Sequence, residues 1–422
     1  MKIAFLGQAL GTIRPPAESG SLSIWTHQVA RQLAREHDVV VVSPARRLFG
    51  DCPQDDENVR YWFAPRYVNA LGNRVARVAW QARVQPANRT LDPLFAYDGY
   101  DRGYAWTAAR MLRSFDPDVV HTHNFSQFVP VVKQTLPRAR VLLHMHCDWL
   151  AQLDCRRIAE RIAHADGIIG VSDAVSDAIR ERFPEFASKV ATVYNGVALP
   201  ESVPPTTVEG EPLVLWIGRI SPEKGVHVLL DAFIRVARKQ PRARLVLVGA
   251  EGRVPPQFLV DISSDPRVRA LRQFYAGGSY TEHLRSRIPP DLQSRVQFAG
   301  PVAYSRMDEW LRKASVLVNA SLSESFCMPV AEAMSWGVPV VATRVGGVPE
   351  VVGDGAGGIL VAPDDPAALA EALIAILGDP DKARRLGGAG RERARSLFAW
   401  ERVGKELLKV YAGERTGVMH VA

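Results

Sequence analysis

Two carboxylates and two cations carry the strongest chemical signal in this chain. Glu324 and Glu332 stand eight positions apart in the segment Ser323–Met334, directly after the apolar run Val316–Val318. Such spacing puts Glu324 in the loop at a strand's carboxyl end and Glu332 in the first turns of the following helix. The free N–H groups of that helix can receive an anion. A carboxylate accepts hydrogen bonds from hydroxyls, so the pair suits a ligand bearing both phosphate and hydroxyl groups. Taken alone, the two glutamates also fit a solvated loop and a dipole-favoured helix start. Arg219 and Lys224 tip the balance. They lie five apart in Ile217–Gly225, which also follows a buried strand and opens a helix, with Gly218 allowing close backbone approach. The dipole disfavours cations at a helix start, and an anion bound by both accounts for them better than an ordinary surface does.

Four histidines form a second constellation. His121 with His123, and His144 with His146, alternate along two strands and therefore share a face in pairs. With Cys147 nearby, such pairs could ligate a transition metal, although packed histidines are the commoner case. Between Arg46 and Arg113 the chain interleaves arginines with aromatics. On a helix there, Val75, Val78, Ala79 and Ala82 share one face, and Arg74, Arg77 and Gln81 an adjacent one. An ordinary surface helix over a sheet and a lid or membrane-facing surface that receives a second substrate both remain open.

The elements that must position these groups are legible as short apolar runs. Ile3–Leu6, an amphipathic stretch with Leu22, Trp25, Val29 and Leu33 on one face, and Val39–Val42 form a βαβ unit. Buried runs recur at 119–121, 141–144 and 167–171. After Asn195-Gly196 and a Pro/Thr-rich linker at 203–207, the alternation starts again, with runs at 214–217, 245–248, 296–298, 316–318, 338–341 and 359–361. The expected class is α/β, as two doubly wound, Rossmann-like domains facing across a cleft. Ligands then sit at the strands' carboxyl ends. The domains are 1–200 and 201–399, with the amphipathic helix from 400 to 422 packing back on the first. The stretch 251–290 is longer than a normal strand-to-helix connection.

Composition bounds the partners. The chain has 422 residues, 47% hydrophobic and 23% charged, with a formal net charge of +7. That balance fits two globular domains and favours anionic partners: nucleotide phosphates or an acidic membrane face. The arginines are dispersed and no nucleic-acid module accompanies them, so nucleic acid is not expected. Four irregularly spaced cysteines suit reduced thiols. The opening residues 1–7 are broken too early by polar residues for a signal peptide, and no run reaches a membrane span. A cytoplasmic place is therefore expected, if membrane-associated then at the inner face.

The second half resembles the C-terminal half of family 4 glycosyltransferases, retaining enzymes of the GT-B fold. The matching pieces are Gly218-Arg219 with Lys224-Gly225, Leu245–Gly249, Val296–Gly300, Glu324–Glu332, and Gly337–Thr343 with Gly346–Glu350. The first half is similar more weakly, through Gly20-Ser21, Asp118–His123, His146, Val171-Ser172 and Asn195–Val197. The resemblance implies transfer of a sugar from a nucleotide-diphosphate donor to a hydroxyl acceptor, without a metal or other cofactor. It assigns the diphosphate to Arg219 and Lys224 and the ribose hydroxyls to Glu332. The transferred sugar goes to Glu324 with the backbone of Phe326, Cys327 and Met328. Phe298, Gly300 and Pro301 flank the base, Gly20 and Ser21 line the donor from the first domain, and His146 meets a sugar hydroxyl. Cys327 and Ser21 replace glycines usual in the family, which bears on donor identity. A sugar-nucleotide epimerase or hydrolase on this fold, and a non-catalytic nucleotide-sugar binder, are the rival readings.

Overall fold

Valines at four successive positions, Val39–Val42, are wholly buried in a strand, and short buried runs of this kind make up most of the central strands here. Parallel strands covered on both faces by helices have no polar side, so they read as continuous apolar runs. The computed structural model describes residues 1–85, 89, 92–203, 211–353 and 355–414. The linker residues 204–207 lie outside them. The chain divides into two compact units, one from Met1 to Asn195 together with the segment from Trp400, the other from Gly196 to Ala399.

The first unit contains β1 (Lys2–Leu6), β2 (Asp38–Pro44), β3 (Gln54–Asp56), β4 (Val59–Ala64), β5 (Val119–His123), β6 (Arg140–Met145), β7 (Gly167–Gly170) and β8 (Val190–Thr192). They form one sheet in the order β3-β4-β2-β1-β5-β6-β7-β8, parallel except for the β3–β4 edge pair. The strand order reverses between β1 and β5, and helix α1 (Ser21–Leu33) follows β1. α1 buries Trp25, Val29 and Leu33, the face expected of it. The final helix, Trp400–Ala412, buries Val403, Leu407 and Val410 and packs on α1. At that contact a Cβ on Gly404 would stand 3.0 Å from Gln32.

Helix α2 (Tyr67–Arg83) departs from expectation. A surface helix over a sheet turns its apolar side inward, but Val75 and Val78 are exposed, and only Ala76 is fully buried. The inward side is polar instead. Asn69 and Asn73 each donate to Asp101 Oδ1, at 2.7 and 2.8 Å, and Asp101 is itself buried.

The second unit is a six-stranded, all-parallel sheet in the order β11-β10-β9-β12-β13-β14. Its strands are β9 (Leu213–Ile217), β10 (Arg244–Val248), β11 (Val296–Gly300), β12 (Val316–Asn319), β13 (Val340–Thr343) and β14 (Gly358–Val361). Helix α3 (Val226–Lys239) lays Val226, Leu229, Phe233 and Val236 into the core. Each such side chain contributes about 1.5–3 kcal/mol by leaving water. The order reverses between β9 and β12, so the loops leaving these two neighbours open at the point where doubly wound sheets bind ligands. The long 251–290 connection folds into short helical turns. Glu251 clamps it, accepting hydrogen bonds from Ser279, Tyr280 and Thr281.

Candidate functional site

Both charged segments of the second unit leave adjacent strands at that reversal. From β9 come Gly218, Arg219 and Lys224, and from β12 the loop 320–327 leading into helix α4 (Met328–Ser335). Two close approaches set the loops. Gly225, at φ +65°, would put a Cβ 1.8 Å from the Ala320 carbonyl oxygen, and Gly346, at φ +46°, one 1.7 Å from that of Glu324. Neither position can hold another residue without moving a site loop.

Lys224 Nζ lies 2.7 Å from Glu324 Oε1. Burial disfavours the ammonium, but Glu324 and Glu223 outweigh it and raise the lysine's pKa. Arg219 donates to Glu223 Oε1 at 2.8 Å, as Ser221 does at 2.6 Å. Burial works against the Glu223 carboxylate, but Arg219 and Lys224 hold its pKa below the ordinary range. Its other oxygen, Oε2, is buried with no hydrogen-bond partner. The two cations are thus not bare. Each already faces a carboxylate, and an arriving anion must share it. Both keep donors to spare, because an ammonium has three N–H groups and a guanidinium five.

Glu324 is held from several sides. Ser321 Oγ donates to Oε1 at 3.0 Å, and Asn319 Nδ2 lies 3.5 Å away. Oε2 accepts no hydrogen bond among the described residues, which leaves it for a ligand hydroxyl. Cys327 has φ +76° at the N-cap of α4, a backbone conformation that favours glycine. Its thiol is buried 3.2 Å from Asn319 Nδ2. Phe326 packs edge-on against Phe398, with centroids 5.4 Å apart. The side chains of Phe326 and Cys327 therefore point into the protein, and the part of them left for a ligand is the backbone. Met328 is buried as the first residue of α4, whose N-terminal N–H groups have no side-chain cap. The Glu332 side chain makes no hydrogen bond or ion pair among the described residues, and burial lifts its carboxyl to about 7. Phe298, half-buried under Arg285, and Gly300, at φ +75°, end β11 beside a register shift, with Pro301 exposed just beyond.

In the first unit Gly20, at φ +80°, caps α1 without a side-chain hydrogen bond, and Ser21 is its exposed first residue. The first turn of α1 is thus also uncapped. The histidines come together as the alternation requires. His121 Nε2 is 3.1 Å from His144 Nδ1, and His123 Nδ1 is 3.2 Å from His146 Nε2. Tyr411 of the final helix reaches His121 Nδ1 at 2.8 Å. Burial keeps all four rings neutral, with His146 lowered to about 3. Nitrogens of His121, His123 and His144 lie within 4.8 Å of one another, so donors for a metal are close. The ring-to-ring and tyrosine hydrogen bonds already use most of those nitrogens, which describes a hydrogen-bonded stack.

Two site residues escaped sequence reasoning: Glu223 and Asn319. Glu223 lay inside a segment already singled out and Asn319 at the end of one. Their side-chain partners are mostly local, Arg219 and Ser221 for Glu223 and Ser321, Glu324 and Cys327 for Asn319, and the loop geometry that joins them leaves no periodic signal in the sequence.

Two doubly wound, parallel-sheet units in one chain are the architecture of the GT-B class of glycosyltransferases. Residues 201–393 match the family model for glycosyl transferases group 1, and residues 22–200 that for glycosyltransferase family 4. The chain belongs to this family, and it is a transferase of glycosyl groups. Among curated proteins it is similar to spore coat protein SA of Bacillus subtilis, at 26% identity over 98% of this chain and 100% of that one. It is also similar to a glycogen synthase of Mycobacterium tuberculosis, at 27% over 96% and 93%. Among solved structures, Anabaena HepE in complex with UDP and glucose superposes with a TM-score of 0.64, at 19% identity over 98% and 99%.

Proposed function

We propose that this glycosyltransferase moves a sugar from a nucleoside diphosphate to a hydroxyl acceptor, with retention of anomeric configuration and without a metal. Such a transfer would serve in building a polysaccharide, glycolipid or glycoside. The observation that carries the reading is the joining of Arg219, Lys224 and Glu324 at the reversal between β9 and β12, in front of the uncapped α4. Arg219, Lys224 and the α4 N–H groups supply the positive potential that a departing diphosphate needs, and preorganised charge is most effective where charge develops. Glu324 Oε2 and the backbone of 326–328 hold the sugar. Glu332 takes the ribose diol, with Phe298, Gly300 and Pro301 beside the base. The family resemblance also assigns Gly20, Ser21 and His146 to the donor. HepE, which shares the fold, binds UDP and glucose, and this supports a uridine donor as the first to test.

In the transfer, the bond from the anomeric carbon to the diphosphate oxygen breaks and one to the acceptor oxygen forms on the same face. The acceptor proton passes to the leaving diphosphate, as the family resemblance suggests. The test is a thermal-shift screen over nucleotide sugars, followed by product analysis with and without hydroxyl acceptors. The reading expects a glycoside only when an acceptor is present, with the donor's anomeric configuration. Free or isomerised sugar, formed equally well without acceptor, would establish the hydrolase or epimerase instead.

A further inference from the structure

Helix α2 presents its apolar residues to solvent. Leu71, Val75 and Val78 are each about two-thirds exposed, at 66%, 64% and 66%, and Tyr67 at the helix start is also exposed. At 100° per residue, Tyr67, Leu71, Val75, Val78 and Ala82 fall within about 80° of one another. The loop before the helix extends the stripe. Phe49 is 79% exposed, its ring lies 5.9 Å from that of Tyr67, and Leu48 beside it is exposed too.

This face is fixed, not a chance rotation. On the opposite side Asn69 and Asn73 bond the buried Asp101, and Asn73 Oδ1 accepts from the Asp101 backbone N–H at 2.8 Å. Asn69 Oδ1 accepts from the Tyr104 N–H at 3.1 Å. A Cβ on Gly103 would stand 2.9 Å from the Val68 carbonyl oxygen, so α2 and the helix Arg102–Leu112 are in tight register. Rolling α2 to hide its valines would break all of these contacts.

Charge selects the occupant. The helix has no Asp or Glu, and exposed arginines flank the stripe at Arg74 and Arg77, with Arg66, Arg46 and Arg47 at its start. An apolar ridge ending in aromatics and bordered by arginines, whose neighbouring acid Asp51 is turned inward onto Arg14, matches a surface that is apolar beneath and anionic above. We propose that the outward face of α2, continued by Leu48 and Phe49, docks on an anionic phospholipid bilayer. None of these residues belongs to the donor site, so the proposal stands or falls separately from the transfer reaction.

The experiment is co-sedimentation of the full chain with vesicles of phosphatidylcholine, with and without phosphatidylglycerol, at low and high salt. Binding is expected to the anionic vesicles and to fall steeply with salt. Each arginine near the surface contributes about fivefold to partitioning, so Arg74→Ala with Arg77→Ala should lose on the order of twentyfold. Leu71→Ser with Val78→Ser should also release the protein, at any salt. Arg384→Ala with Arg385→Ala, exposed on the second unit, should change nothing. All of these side chains are solvent-facing, and unchanged melting curves and unchanged UDP binding confirm intact folds. Equal binding to neutral vesicles, or retention by the α2 variants, overturns the proposal. So does a wild-type dimer that the Leu71→Ser and Val78→Ser variant converts to monomer, since the face would then belong to a second copy.

Discussion

Lys224 and Glu324 illustrate how single residues share work at this site. Their ion pair orients both groups, and the lysine keeps spare N–H groups, which the proposed reading gives to phosphate oxygens. Arg219→Ala and Lys224→Ala should each lower kcat by roughly a hundredfold or more, the usual cost of one preorganised charge-stabilising donor. Circular dichroism should show both still folded, and near-wild-type turnover in both would place the diphosphate elsewhere. Glu332 makes a separate prediction through pH. Its folded carboxyl titrates near 7, above the ordinary value of 4.5, so its proton stabilises the fold at low pH. That contribution is lost as pH rises through about 7. Glu332→Gln should therefore melt at the wild-type temperature near pH 4 and above it near pH 8. Ribose hydroxyls favour the ionised carboxylate, so wild-type nucleotide affinity should rise between about pH 6 and pH 8 and the variant's should stay flat. Identical pH profiles for the two proteins would show that Glu332 is not the raised group.

At the scale of elements, β9 and β12 do the positioning, because their adjacency brings loops a hundred residues apart in sequence into one ion pair. Gly346→Ala should abolish most activity by pushing the Glu324 carbonyl aside, with a lowered melting temperature. Gly388→Ala is the control, since its Cβ meets nothing within 4 Å inside the helix Pro380–Leu397. That change should stabilise by about 0.5–1 kcal/mol. The second sheet was legible in sequence because each strand is a short, almost wholly apolar run. β3 and β4 were not. Gln54–Asp56 is a polar edge strand, and Arg60 interrupts the run Val59–Ala64. The inward side of α2 was unreadable for a different reason. Its anchor, Asp101, lies 28 and 32 positions away, and nothing local marks Asn69 and Asn73 as the buried side. Arg219, Lys224, Glu324 and Glu332 were legible as charges beside strand ends. That each cation faces a carboxylate depends on Glu223 and on the neighbouring strand.

On the scale of the whole molecule, the final helix returns the chain to the first unit, burying Leu407 and Tyr411 and bonding His121. Deleting the chain from Trp400 should uncover Leu33 and the His121 side of the sheet and cost solubility and transfer, while deletion from Gly413 should cost little. Equal, full activity of both truncations would show that the helix is dispensable. We propose that the second unit holds a nucleoside diphosphate through protein cations alone. Calorimetric titration of the full chain with UDP, with a chelator present throughout, tests it most directly. The expected result is saturable binding that is unchanged by the chelator and weakened at least tenfold by either Arg219→Ala or Lys224→Ala. Binding that disappears with the chelator and returns with a divalent cation, or that both variants retain in full, would contradict it.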